Sequence, residues 1–298
     1  MGDHSMIRID RGAEPRGLKI AAPKRLRAAA KVFNRRGALS KALTKKLTGY
    51  GTEKTKQALF LAQHEKCAWC ERHTDFSSAP VEHYRPKDGA WRHLPKATMK
   101  HVDQGHYWWL TWTWSNLLFS CARCNDRAHK ANYFPLRPTT VPAAVPTAPL
   151  PRPLPSPIVD VSGEQALLLD PAGSEDPLDH ITWRPGFTHL HRREWIWSPF
   201  GLTEKGEATI EILKLEELAG RAQGHVIDAL LPSIEEVEQH LGASRVLQAR
   251  QRWQRFLEDS LSPRAEWTAF TWHALAYLVP VAYRLQHGLA VPPRPGAP

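Results

Sequence analysis

The sequence predicts an α+β fold, with a small mixed core in its first half and a mainly helical second half. Three observations predict it. Residues 67–130 hold two short strand-like runs, framed by two Cys-x-x-Cys pairs. From Thr203 onward, apolar residues recur at helical spacing to the end of the chain. Between these regions, residues 135–157 carry nine prolines, which excludes helix there. Four segments follow: a basic arm over 1–50, a core over 51–137, a Pro-rich linker or surface loop over 138–160, and short strands then helices over 161–298. The 298 residues suffice for one large or two modest domains.

Each element has a local cause. Met1-Gly-Asp-His-Ser5 reads as a tag remnant or an early start and enters no argument. Residues 6–22 carry Gly12, Pro15 and Gly17 and read as an extended arm. Pro23 then opens a helix with Leu26, Ala29, Ala30 and Phe33 on one face, stopped at Gly37. Ser40 to Leu47 form a second short helix. Thr52 is an N-cap, with Glu53 in the first turn where the helix dipole favours an anion, and the helix runs over 53–64. Val81 to Arg85 read as a strand ended by Pro86. Residues 107–114 hold four of the twelve tryptophans, a density that signals packing. Asn116 to Ser120 read as a second strand, and Asn125 as the start of a two-turn helix ending before Phe134-Pro135. Ala166–Asp170 and His180–Pro185 look like short strands. Helices are expected over 210–241, 246–257 and 266–284, the last kinked or ended at Pro280.

Charge divides the chain. Residues 1–150 carry 26 Lys/Arg against 11 Asp/Glu, and residues 151–298 carry 14 against 19, which sums to the net +10. A basic front half fits a polyanion, nucleic acid foremost. No window approaches ~18 consecutive apolar residues, so neither a transmembrane helix nor a membrane partner is expected. The first residues lack an apolar run of signal-peptide type. All four cysteines fall in the two pairs, which suits metal ligation in a reducing cytoplasm.

The pairs are Cys67-Ala-Trp-Cys70 and Cys121-Ala-Arg-Cys124. Two intervening residues let both thiolates of a pair face one ion, and four thiolates leave no open position, so one structural zinc per chain is expected. The chemistry then belongs to other groups. Glu82 offers a hard oxygen ligand for Mg²⁺ or Mn²⁺, and Asn125 could add a carbonyl oxygen. The His83 imidazole suits proton abstraction from water near neutral pH. An ideal strand would point Glu82 and His83 to opposite faces, and a bend next to Pro86 would let both approach one centre. Arg85, Lys87, Arg123, Arg127 and Lys130 surround the motif as candidate phosphate contacts.

The order Glu82-His83, Asn116-Leu-Leu, Cys121-x-x-Cys124-Asn125 resembles the HNH endonuclease family, of ββα-metal fold. Cys-Ala-Trp-Cys-Glu71, Val-Glu-His-Tyr-Arg-Pro-Lys87, Trp114-Ser-Asn-Leu-Leu and Cys-Asn-x4-Lys130-x3-Phe-Pro135 narrow the likeness to the HNH subfamily of retron and Septu anti-phage systems. The likeness covers residues from about Met6 to Leu215. It implies Glu82 and Asn125 as catalytic metal ligands, His83 as general base and Asn116 as the residue fixing the loop between strands. It also implies cleavage of DNA, with RNA the alternative, an ATPase partner and a defence role. Glu stands where Asp is more frequent, and the stretch from His83 to Asn116 is long and Trp-rich. The competing expectation is a non-catalytic zinc-knuckle protein that binds nucleic acid or serves as an adaptor. In a third, the helical half alone is a docking surface.

Overall fold

A computed structural model of the chain describes residues 6–38, 40–155 and 158–296, so Met1–Ser5 and the end of the Pro-rich stretch at Ser156-Pro157 lie outside the described residues. The first helix, α1 (Arg16–Arg36), starts seven residues before Pro23 and carries that proline inside it. An interior proline removes one backbone hydrogen bond and crowds the preceding turn. Here burial of Leu18 in the added turns, together with Leu26, Ala29 and Ala30, outweighs that cost. Residues 16–22 are therefore helix and not extended arm. Gly37 ends α1 in the left-handed region (φ 74°), its N–H returning to the Phe33 carbonyl.

Helix α2 (Lys41–Thr44) is capped by Ser40, whose hydroxyl accepts from the Leu43 N–H. Gly49 follows at φ 75°. The Arg25 guanidinium fills the space a Cβ would need there while donating to the Thr48 carbonyl at 2.7 Å. Helix α3 (Glu53–Ala62) is capped by Thr52 as expected. Just beyond it, the Gln63 side chain donates to Phe119 O (2.8 Å) and accepts from Phe119 N (2.8 Å).

Strand β1 (Val81–His83) precedes a small pair, β2 (Ala90–Trp91) and β3 (Val102–Asp103), in a stretch whose sequence shows little pattern. Trp108, Trp109 and Trp112 are buried, in keeping with packing. Strand β4 (Leu117–Phe119) pairs antiparallel with β1 in the register Val81↔Phe119, Glu82↔Leu118, His83↔Leu117. Helix α4 (Ala122–Asn125) follows, and Asn125 closes it instead of opening a longer one. The chain turns back after Asn125, the Lys130 N–H reaching Cys124 O at 3.2 Å, and this return brings the Lys130 side chain to β1.

The Pro-rich segment is non-helical over its described residues, and it is a surface strap. Ala143, Val145, Ala148, Leu150 and Leu154 pack against the core. Among the described residues, Ala166–Asp170 makes one bridge, Ala166 to Leu136, and Leu168 and Leu169 are buried without a strand partner. Strands β5 (Ile181–Gly186) and β6 (Ile196–Gly201) pair antiparallel. Then come α5 (Glu204–Leu213), α6 (Ala219–His225), a π-helical turn Val226–Leu230, α7 (Leu231–Gly242), α8 (Val246–Ser260), α9 (Thr268–Leu278) and α10 (Val281–His287). Pro280 separates α9 from α10, where a proline before the first helical residue costs nothing.

One hydrophobic cluster runs from Met6 to Leu289 and joins both halves. The helical half also reaches the first cysteine pair through buried polar groups. Lys66 Nζ donates to Ala265 O (2.6 Å), and Glu71 accepts from Ala269 N (3.4 Å) at the start of α9. Among the described residues, no helix is long and apolar enough to cross a membrane.

Candidate metal centre and adjoining polar site

The four thiols converge. The Sγ atoms of Cys67, Cys70, Cys121 and Cys124 all lie within 4.8 Å of one another, and Cys70 and Cys121 approach to 3.7 Å. The turns that place them are backbone-closed: Cys67 N donates to Arg72 O (2.8 Å) and Glu71 N to Cys67 O (3.0 Å), with Glu71 at φ 49°. Ala68 N donates to Phe119 O (3.0 Å), which fastens the first pair to β4. Cys121 caps α4, its sulfur accepting from Cys124 N. Tetrahedral thiolates ~2.3 Å from a zinc ion lie about 3.8 Å apart, so the donor set and its spacing fit zinc. Hydrogen bonds from Cys124, Cys67 and Cys70 hold the Cys121 thiol far below the usual range, while burial pushes Cys70 up. Among the described residues, these cysteines are the one cluster of three or more His, Cys, Asp or Glu ligand atoms close enough to hold an ion.

Glu82 and His83 lie on β1, which pairs with the strand that runs into Cys121, and both are buried. Glu82 Oε1 receives the Lys130 ammonium at 2.7 Å, and the same ammonium donates to the His83 carbonyl. Lys130 is 0% exposed. Burial raises the Glu82 carboxyl pKa against the pull of Lys130 and Lys87, and burial lowers that of Lys130 against the pull of Glu82. The His83 ring stands apart from this pair: Nε2 lies 3.1 Å from Thr111 O, and the Tyr50 ring meets it edge-on at 4.3 Å. A carbonyl can only accept, so Nε2 carries the proton and Nδ1 presents the lone pair. Burial, aided by Lys87 and Lys130, drives the imidazole well below its ordinary pKa despite the Thr111 carbonyl. His83 is thus neutral, with a fixed tautomer, near pH 7.

Asn116 ties the two strands together. Its Oδ1 accepts from Arg85 N (2.8 Å), and its Nδ2 donates to Arg85 O (2.9 Å). Asn125 is half-buried, and its side chain makes no hydrogen bond among the described residues. The polar partner found at Glu82 is Lys130, not Asn125.

The chain is similar to Septu protein PtuB of Bacillus mycoides (strain KBAB4). The two are 31% identical over 185 residues, which is 60% of this chain and 55% of PtuB, so the match spans about half the length of that relative. No protein-family model matches the chain, and no solved structure matches it. The similarity to PtuB supports the link to Septu anti-phage systems.

Of the residues expected to meet phosphate, three hold carboxylates. Arg85 pairs with Glu164 at 2.9 Å, Arg123 with Glu217 at 3.1 Å and Lys130 with Glu82. Lys87 is half-buried, its ammonium 5.5 Å from the Tyr50 ring centre, and Arg127 is exposed. Neither is ion-paired among the described residues. Sequence reasoning missed Thr111 and Tyr50 as the groups around His83, and it missed Lys130 as the partner of Glu82. The Asn125-x4-Lys130 spacing was the available signal for the last of these.

Proposed function

We propose that this chain is a metal-dependent nuclease of an anti-phage defence system, hydrolysing phosphodiester bonds in DNA, with RNA the alternative substrate, beside an ATPase partner. The observation that carries the reading is His83: a neutral imidazole, its Nε2–H held by the Thr111 carbonyl, with Nδ1 left to accept a proton. A general base needs that state at working pH. The HNH-like order of Glu82-His83, Asn116 and Asn125 and the similarity to PtuB support the same reading.

In this mechanism His83 Nδ1 takes a proton from the attacking water. Thr111 and Tyr50 hold the ring in place, and Asn116 fixes the turn that follows β1. Lys87, beside both Glu82 and His83, faces the substrate as a phosphate contact, and Arg127 is a second. Glu82, through the oxygen not taken by Lys130, and Asn125 would hold Mg²⁺ or Mn²⁺, which when bound supplies positive charge to the scissile phosphate. The four cysteines would hold zinc and keep the ends of the motif together.

The test is cleavage of plasmid DNA and structured RNA with Mg²⁺ or Mn²⁺, by the protein alone and with the ATPase of its system. His83→Ala should slow cleavage ~10²–10⁴-fold. Equal rates for variant and parent would sink the assignment. One observation favours a second reading, a non-catalytic zinc-knuckle protein that binds nucleic acid or a partner: Glu82 is buried against Lys130 as a structural pair would be. That reading requires binding with no cleavage under any of these conditions.

A further inference from the structure

Helix α1 carries eight Lys/Arg and no Asp/Glu in 21 residues. Its buried side is apolar, through Leu18, Leu26, Ala29 and Ala30. On the opposite side Lys24, Arg27, Lys31 and Arg35 recur every three or four residues, about one per turn. Lys24, Lys31 and Arg35 are exposed, and none of the four has a carboxylate partner among the described residues. The Pro-rich strap runs alongside. Arg27 donates to Pro151 O (3.3 Å) and Asn34 to Ala148 O (3.1 Å). A groove of about 540 Å³ between helix and strap is lined by Arg27, Lys31 and Arg152, with no acidic residue in its wall.

We infer that this face of α1, with the strap beside it, binds the phosphate backbone of nucleic acid. The inference deepens the proposed function and rests on its nucleic-acid part, not on its chemistry. Charge complementarity selects the occupant. A row of cations about 16 Å long, with no anions among them, matches a polymer bearing one charge per ~3.4 Å of strand. A protein partner would want an apolar or aromatic anchor at the centre of its docking site. The stripe offers Ile20 and Ala28 and no aromatic side chain. The face is also tied to the candidate catalytic residue. Arg25 of α1 and the Trp112 indole both donate to Thr48 O, two residues before Tyr50, whose ring meets His83.

The experiment replaces three exposed bases, Lys24→Gln, Lys31→Gln and Arg35→Gln, in the full chain. A matched control carries Arg245→Gln, Arg255→Gln and Arg264→Gln, exposed bases of the helical half with the same loss of charge. Both are made on the His83→Ala background and measured without added Mg²⁺ or Mn²⁺, so binding is read apart from cleavage. Fluorescence anisotropy follows a labelled duplex, a single-stranded DNA and a single-stranded RNA of mixed sequence across salt concentrations, and circular dichroism confirms the helix content of each variant. The α1 variant should bind its preferred strand roughly tenfold or more weakly near 0.1 M salt, with a salt slope shallower by about 2–3, and the control should bind as the parent does. Equal affinity and slope for the α1 variant and the parent overturn the inference, as does an equal loss in both variants. If the α1 variant keeps nucleic-acid binding and loses association with the ATPase of its system, the face is a protein-docking surface and the inference falls. Absence of binding by the parent overturns it as well. Binding through α1, together with no cleavage by the unsubstituted protein in the plasmid and RNA assay, would leave the inference standing and remove the nuclease reading.

Discussion

Lys130 shows how much one buried side chain can hold. Its ammonium meets a carboxylate and a carbonyl on β1, 48 and 47 positions earlier in the chain respectively. Taking two charges out of water is expensive, and their attraction offsets that cost only while both are present. Lys130→Met should therefore destabilise the fold by about 3–5 kcal/mol, because it strands the Glu82 carboxylate. Glu82→Leu combined with Lys130→Met removes both charges and should recover most of the loss. Urea unfolding of the two singles and the double closes the cycle. Equal losses for the double and Lys130→Met would show that shape and not charge matters here. Pairing of this kind was not legible in the sequence. Lys130 stood out there as one cation among several near the motif, and nothing local says which carboxylate a chain reversal will bring to it. The cysteine pairs were legible because two residues of spacing fix their geometry locally, whatever the 50-residue gap between the pairs does.

At the scale of elements, local signals held where local physics decides. Thr52 caps α3 as expected, because a hydroxyl before a helix has free N–H groups to accept from. Ser40, expected as the first residue of a helix to Leu47, instead caps a shorter one that ends at Thr44. Gly37 ends α1 through its left-handed backbone. The start of α1 failed for a tertiary reason: Leu18 has a buried site to fill, and no sequence window contains that site. Asn125 closes its helix instead of opening it for a similar reason, since the turn after it is set by the Cys124 carbonyl and the return of Lys130. Glycines within helices divide by their surroundings. A Cβ on Gly206 in α5 would collide with the His180 carbonyl, whereas one on Gly220 in α6 meets nothing within 4 Å. Gly206→Ala should cost about 3 kcal/mol, the upper end of overpacking in a rigid site. Gly220→Ala should stabilise by roughly 0.5–1 kcal/mol through helix propensity. Thermal melts of the two variants should move in opposite directions, and parallel shifts would contradict the close approach of α5 to the end of the 3-10 turn Pro177–Asp179.

For the whole molecule, the α+β class was legible, and the way the halves join was not. The sequence suggests a strand-bearing front and a helical back separated by prolines. The folded chain puts both into one hydrophobic cluster, with the proline segment strapped to its surface. Lys66 and Glu71 then link the first cysteine pair to the start of α9. Loss of an ion at the four thiols should therefore be felt far from them. Purified protein should contain about one zinc per chain by elemental analysis. Exhaustive chelation, or Cys121→Ser, should remove it and abolish a single cooperative melt that includes the helical signal, since structural zinc sites contribute on the order of 10 kcal/mol or more. A zinc-free protein with an unchanged melting temperature would show that the thiols need no metal.

The Gln63 amide has a consequence for solubility. Its N–H and carbonyl oxygen meet the carbonyl and N–H of Phe119, the same exchange that a neighbouring strand would make. A side chain thus stands where a third strand could add to the β1–β4 ribbon. Unsatisfied strand edges invite other chains to join them, and this one is closed at Phe119 from within the molecule. The β4 edge of the ribbon that carries Glu82 and His83 is in this way shielded from edge-to-edge aggregation.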